Sequence, residues 1–167
     1  MRVSLRVLVA VTSFLTVLSS ASAGLAIQSP SVVRSAGTDL ATVEHLLYGV
    51  SMASFLDASR SGDAWFDWSS DLCSAPLVGS TGRTFDFRAS CRRHDFGYRN
   101  LQLLERRYGS GATYWNVTSR SRVDSRFRTD MRQHCASRPW YDQPTCSAWA
   151  ETYYYAVRVA GGVAGGL

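Results

Sequence analysis

The sequence has 167 residues and a formal net charge of +5, with 18 Lys and Arg residues against 13 Asp and Glu residues. Two of the arginines, Arg2 and Arg6, lie in an N-terminal segment that we expect to be removed, which leaves 16 basic residues and a net charge of +3. So weak a basic excess fits tolerance of anionic partners and argues against a dedicated nucleic-acid surface.

Residues 1–23 have the pattern of a secretory signal peptide. A charged start precedes an apolar run over residues 7–18, and an Ala-Ser-Ala sequence predicts cleavage after Ala23. The run is shorter than the ~20 residues that span a bilayer, so a membrane anchor is the weaker interpretation. We therefore predict a secreted, extracellular protein without a transmembrane segment. The remaining 144 of 167 residues suffice for one domain with a buried core.

Residues 24–41 are rich in Ser, Ala, Gly and Val and lack periodicity, which predicts a flexible leader or pro-segment. The folded domain is then expected over residues 42–160. Its first helix is predicted from the apolar spacing over residues 41–55. The glycine-rich residues 161–167 predict a frayed tail.

The chain has four cysteines, which in an oxidising compartment indicate two disulfides with three possible connectivities. We favour the sequence-local pairs Cys73–Cys91 and Cys135–Cys146. A zinc site is the rival interpretation, but the chain lacks the Cys-x-x-Cys spacing typical of such sites.

The main helix pattern covers residues 88–107 and ends at a Gly-Ser-Gly breaker. His94 and Tyr98 share one face of this helix, whereas Asp95 is rotated by about 100° onto the neighbouring face. The ring and the carboxylate can therefore serve two adjacent roles. We interpret His94 as a general base and Asp95 as a metal ligand.

The loop before this helix completes the predicted metal site. A disulfide between Cys73 and Cys91 would bring Asp71 close to Asp95. Calcium prefers six to eight oxygen ligands, which often include loop carbonyls. Asp71, Asp95 and the carbonyl of Leu72 would supply three oxygens and leave positions for water and substrate. Only two carboxylates imply a modest affinity, which suits an extracellular calcium site.

A second long helix is predicted from a cap at Thr118 or Ser119 to about Cys135. Asp124 borders its apolar stripe, where a carboxylate can assist a histidine on a neighbouring helix, whereas Asp130 is expected to face solvent.

A third helix is predicted over residues 146–159, with Trp149 and Tyr153 packing inward. Strand patterns are weaker than these helices, so the fold class is predicted to be all-α.

The loop between the first two long helices contains Tyr114 and Trp115, with arginines on both sides in the sequence. We predict that these rings contact a lipid surface, because amphipathic rings settle at the headgroup level. Asn116 starts a glycosylation sequon, which matters only in a host that glycosylates.

Three sequence blocks resemble the secreted phospholipase A2 family, in its small prokaryotic and fungal branch. The blocks are the Asp-Leu-Cys loop at 71–73, the Cys-x-x-His-Asp-x-x-Tyr helix at 91–98 and the Ser-Arg-Val-Asp-Ser-x-Phe segment at 121–127. The resemblance extends over about residues 48–159, nearly all of the predicted domain.

The resemblance implies a small all-α, disulfide-bonded fold in which two long antiparallel helices carry the His/Asp site. It implies a calcium-dependent enzyme that hydrolyses the sn-2 ester of glycerophospholipids to a fatty acid and a lysophospholipid. His94 would activate the attacking water, Asp124 would be its partner, and Tyr98 would support both. The implied calcium ligands are Asp71, Leu72 through its carbonyl, and Asp95. The expected partner is phospholipid at a membrane or micelle surface, and the expected state is a monomer.

The sequence departs from the family in the interval between His94 and Asp124, which is lengthened around residues 109–117. If this insertion tilts the second helix, Asp124 misses His94. The alternative function is then a non-catalytic secreted lipid-binding or toxin-like module on the same fold. A metal-dependent nuclease is a third interpretation, favoured only by the basic charge and a His-Asp pair.

Overall fold

The computed structural model describes residues 34–73 and 85–164, and the regular elements within these ranges are helices. The helices are α1 (Ala36–Glu44), α2 (Met52–Arg60), α3 (Arg88–Tyr108), α4 (Val117–Ala136) and α5 (Gln143–Ala164), and a π-helical turn (His45–Gly49) separates α1 from α2. This architecture confirms the predicted all-α fold class. The predicted signal peptide over 1–23 lies outside the described residues.

The prediction of a flexible leader over 24–41 is wrong for its last residues, which belong to α1, while residues before 34 lie outside the described part. A capping box at Ser35 starts this helix. Asp39 is buried and accepts hydrogen bonds from Trp65 Nε1 at 2.6 Å and the Tyr108 hydroxyl at 3.0 Å. These contacts to distant residues hold the segment in place, and local composition does not reveal them.

The single helix predicted over residues 41–55 is interrupted by the π-helical turn. Arg93 of α3 binds the end of that turn, with Nη1 donating to the carbonyls of Val50 at 3.0 Å and Leu47 at 3.4 Å. Backbone carbonyls at a helix end need such partners when they are removed from water. The buried arginine thus joins the N-terminal helices to α3.

Asp130 was predicted to face solvent, and that prediction is wrong. Its side chain is only 1% exposed and lies 3.1 Å from Nε of the equally buried Arg93 and 3.0 Å from Nε of Arg126. Burial raises the pKa of Asp130, and the two guanidinium groups oppose that rise. Since a buried cation needs a counter-ion, Arg93 requires a carboxylate at this position of α4.

Helices α3 and α4 run antiparallel, as predicted. Phe87 at the start of α3 packs edge-on against His134 near the end of α4, and further along α3 Gly97 approaches Val123. A Cβ on Gly97 would lie 2.8 Å from Cγ1 of Val123 and 2.9 Å from Cδ2 of Leu47. The glycine therefore permits close contact between α3, α4 and the π-helical turn.

Both predicted disulfides, Cys73–Cys91 and Cys135–Cys146, are confirmed. They lie in one buried cluster together with Phe127, Met131 and Tyr153, while a second cluster packs the N-terminal helices against α3. The site described below lies between these two clusters.

Helix α5 is longer than predicted at both ends. It begins at Gln143 and continues to Ala164, so the tail predicted to fray over 161–167 is helical for its first four residues. A glycine inside a helix costs only about 1 kcal/mol relative to alanine. Gly161 and Gly162 therefore need not end a helix whose earlier turns are already packed. Tyr153 faces inward as predicted, whereas Trp149 is only partly buried. Among the described residues, none of the helices is long and apolar enough to cross a membrane.

We predict that Asp130→Ala lowers the free energy of unfolding by about 3–5 kcal/mol, because it leaves Arg93 charged, buried and unpaired. Urea unfolding with the disulfides intact measures this. The matched control is Asp57→Ala, which removes an exposed ion pair with Arg60 on α2 and should cost less than about 1 kcal/mol. Equal losses in the two variants would contradict the proposed role of the Arg93–Asp130 pair.

Candidate active site

His94 and Asp124 meet between α3 and α4. Nε2 of His94 lies 2.9 Å from Oδ1 of Asp124, and the two residues are 8% and 0% exposed. A contact over 30 residues of sequence forms because the helices are antiparallel and closely packed. The insertion around residues 109–117 therefore does not carry Asp124 away from His94.

Tyr98 and Phe127 fix the orientation of this pair. The Tyr98 hydroxyl donates to the same Asp124 oxygen at 2.7 Å. The ring of His94 packs against both aromatic rings, with centroid distances of 4.4 Å to Tyr98 and 4.9 Å to Phe127. The imidazole is thus held by packing as well as by a hydrogen bond.

Burial and hydrogen bonding have opposite effects on the charges of the pair. Burial lowers the pKa of His94, but the hydrogen bond to Asp124 and the adjacent Asp95 outweigh it, so the pKa lies above its ordinary value. Burial raises the pKa of Asp124, but hydrogen bonds from His94 and Arg158 outweigh it, so this pKa lies below its ordinary value. Asp124 is therefore a carboxylate that can stabilise a positive charge on His94.

Arg158 is a site residue that the sequence interpretation missed. It comes from α5, and its Nη1 donates to Oδ2 of Asp124 at 2.9 Å. Arg158 follows Val157, which packs against the core. It therefore lies at the edge of the apolar stripe of α5, just as Asp124 lies at the edge of the apolar stripe of α4. That signal is weak, because arginine at a stripe edge usually faces solvent.

The predicted metal-binding loop lies beside Asp95. One oxygen of Asp95, Oδ2, accepts the Ser70 hydroxyl at 2.6 Å and the Asp71 amide at 3.2 Å. The other oxygen, Oδ1, lies 3.8 Å from Nδ1 of His94. Leu72 and Cys73 have φ values of 56° and 74°, which bulky side chains seldom adopt and which cluster at ligand sites.

Asn100 holds this loop and was not predicted as a site residue. It is fully buried, and its side chain accepts the Asp67 amide at 2.8 Å and donates to the Asp67 carbonyl at 2.7 Å. A further bond from its amide to the Phe96 carbonyl, at 2.8 Å, fixes the side chain on α3. Asn100, six residues after His94, thus anchors the backbone at Asp67, which is four residues before Asp71.

Within residues 34–73 and 85–164, side chains of His, Cys, Asp and Glu do not gather in metal-binding groups of three or more. The predicted calcium set contains only two such side chains, Asp71 and Asp95, together with the carbonyl of Leu72. The fold brings the backbone of Asp71 to Asp95, whereas the assignment of the three residues as ligands stays a prediction.

Tyr114 and Trp115, predicted to contact lipid, are half-buried in the loop between α3 and α4. Trp115 packs edge-on against Tyr98, with ring centroids 4.8 Å apart. Both backbone amides donate to Oε2 of Glu105, at 2.6 Å and 3.1 Å. Contact of their exposed edges with lipid stays a prediction.

Asn116 caps α4, where Thr118 or Ser119 was predicted. Its side chain accepts the Ser119 amide at 2.9 Å, and the Ser119 hydroxyl accepts the Asn116 amide at 3.0 Å. This capping box explains why the helix begins at Val117.

Comparison with known proteins shows that this chain is similar to phospholipases A2. A family model described as prokaryotic phospholipase A2 matches residues 43–161. A secretory phospholipase A2 from Arthroderma benhamiae is 32% identical over 125 residues, which covers 72% of this chain and 78% of that protein. A secretory phospholipase A2 from Beauveria bassiana is 32% identical over 122 residues, which covers 72% of this chain and 58% of that protein.

We predict that Asn100→Ala loosens the loop without unfolding the helices, because the Asp67 amide and carbonyl lose their partners. Hydrogen exchange followed by mass spectrometry should show faster exchange over residues 63–70. Asn116→Ala is the matched control and should speed exchange only at the start of α4. Unchanged exchange over 63–70 in Asn100→Ala would show that the loop does not depend on Asn100.

Proposed function

We propose a catalytic mechanism and a calcium site for this chain, which belongs to the prokaryotic phospholipase A2 family. The chain is a secreted phospholipase A2, and its disulfides fit an extracellular protein. The proposed reaction is hydrolysis of the sn-2 ester of a glycerophospholipid, which releases a fatty acid and a lysophospholipid.

The 2.9 Å contact between His94 Nε2 and Asp124 Oδ1 carries the mechanistic proposal. Since a carboxylate accepts hydrogen bonds, Nε2 holds the proton of the neutral ring and Nδ1 holds a lone pair. Nδ1 is on the side of the ring nearer Asp95 and the metal-binding loop. It can therefore act as a general base toward a water molecule on that side.

In the proposed reaction, His94 Nδ1 takes a proton from water as the water oxygen adds to the sn-2 carbonyl carbon. Asp124 stabilises the imidazolium that forms, and Tyr98 keeps the carboxylate turned toward the ring. The proton then passes to the glycerol oxygen as its bond to the acyl carbon breaks. The ring returns to its neutral form, and the fatty acid and lysophospholipid are released.

The donor set beside the histidine fits calcium. Asp71 and Asp95 offer carboxylate oxygens and Leu72 offers a carbonyl, all hard ligands of the type that calcium prefers. Support comes from the bond between the Asp71 amide and Asp95, which brings the loop against α3, and from the left-handed backbone at Leu72. When bound, calcium would supply positive charge for the ester carbonyl and the substrate phosphate.

The non-catalytic lipid-binding module was the alternative for a chain in which Asp124 misses His94. The contact between the two residues and its support by Tyr98 do not favour that alternative. The nuclease interpretation has only the basic charge and the His-Asp pair in its favour, and the family match points elsewhere.

We predict that His94→Ala lowers fatty-acid release from mixed phosphatidylcholine micelles by at least about 100-fold, because the general base is lost. Titration of the released acid measures the rate, and analysis of the lysophospholipid identifies the ester that is cleaved. His45→Ala is the matched control, since His45 is exposed on the π-helical turn, and it should retain the full rate. Equal rates in wild type and His94→Ala would disprove the proposed base.

We predict that Asp95→Asn weakens calcium binding by at least about tenfold, because one of two proposed carboxylate ligands loses its charge. Isothermal titration calorimetry with calcium alone measures the affinity independently of turnover. Asp57→Asn removes an exposed carboxylate on α2 and should bind calcium as wild type does. If Asp95→Asn also binds like wild type, the proposed ligand set is wrong.

A further inference from the structure

The two carboxylate oxygens of Asp124 accept hydrogen bonds from different helices. Oδ1 accepts from His94 at 2.9 Å and from the Tyr98 hydroxyl at 2.7 Å. Oδ2 accepts from Nη1 of Arg158 at 2.9 Å. The first two donors come from α3, whereas Arg158 comes from α5, so the carboxylate of α4 is held from both sides.

The carboxylate needs the third donor for a physical reason. Asp124 is 0% exposed, and an ionised group removed from water must have its charge and lone pairs satisfied by protein groups. Rotation of the carboxylate about its terminal bond costs little by itself, because such bonds have broad energy minima. A donor on Oδ2 opposes that rotation and keeps Oδ1 directed at the imidazole. Arginine suits this role because its charge does not depend on pH in the working range.

We propose that Arg158 is a positioning residue for the hydrolytic reaction, which holds the Asp124 carboxylate in the orientation that directs Oδ1 to His94 and Tyr98. The inference rests on the proposed function, because it assigns Arg158 a role in the same His94 mechanism. Arg158 acts through Asp124 and touches neither the imidazole nor the proposed calcium ligands in the contacts described above.

The other arginines that face α5 show what distinguishes Arg158. Arg128 and Arg132 of α4 pair with Glu151, whose side chain is 25% exposed. Arg158 is itself 35% exposed, but its partner has no exposed surface. An ion pair between exposed groups is worth little, whereas removal of the partner of a buried charge is costly. Arg158 is therefore partly at the surface, but it pairs with the Asp124 carboxylate, which water does not reach and cannot stabilise.

The kinetic test compares Arg158→Ala, Arg158→Lys and wild type in the micelle assay. Arg158→Ala should lower kcat by about 10- to 100-fold, the usual cost of losing an orienting partner, with KM changed less than about twofold. Arg158→Lys should retain part of the rate, and guanidinium at low millimolar concentration should restore activity to Arg158→Ala. Arg132→Ala is the matched control and should show neither the loss nor the rescue.

A result with kcat unchanged in Arg158→Ala would overturn the proposal. So would a rise in KM at constant kcat, because it would assign Arg158 to substrate binding instead.

A double-mutant cycle tests the same contact without turnover. Unfolding midpoints are measured for wild type, Arg158→Ala, Asp124→Asn and the double variant. The proposal predicts non-additive shifts, since each single change removes the same pair. Additive shifts would overturn it. If wild type itself releases no fatty acid, the proposed function fails, and the cycle still decides whether Arg158 holds Asp124.

Discussion

The rest of the structure depends on the burial of one carboxylate, that of Asp124. A charge with no exposed surface is tolerated only where donors surround it, and here the donors are His94 and Tyr98 from α3 and Arg158 from α5. Three helices must therefore keep a fixed register around one side chain. The requirement links the proposed catalytic pair to folding, because the contacts that stabilise the buried charge are also those that orient the imidazole.

A second buried charge pair and the two disulfides maintain that register. Arg93, one residue before His94, pairs with Asp130 of α4 and binds the carbonyls of the π-helical turn. Cys73–Cys91 attaches the proposed calcium loop to α3, and Cys135–Cys146 joins α4 to α5. All of these connections lie on one side of the His94–Asp124 contact, toward the start of α3 and the end of α4, where both disulfides belong to the same buried cluster.

The sequence predicts what is encoded locally and misses what depends on distant partners. The helix over 88–107 could be predicted because its apolar spacing and Gly-Ser-Gly end are local signals, and the structure places it at Arg88–Tyr108. The burial of Asp130 could not, because its buried partner Arg93 is 37 positions away, and the nearby Arg126 alone would fit an exposed ion pair equally well. Arg158 was missed for the same reason. Asn116 was overlooked as a cap, although Asn is as good an N-cap as Ser.

The loop between α3 and α4 is held by its own local contacts, which explains why it does not displace the site. Glu105, in the last turn of α3, accepts backbone amides from Gly111, Tyr114 and Trp115. These bonds fold the loop residues back onto the helix that precedes them, and the capping box at Asn116 then starts α4. The loop thereby satisfies its own polar groups locally, as a surface loop must. The register of α3 against α4 therefore does not depend on the length of this loop, because the buried charges set the register.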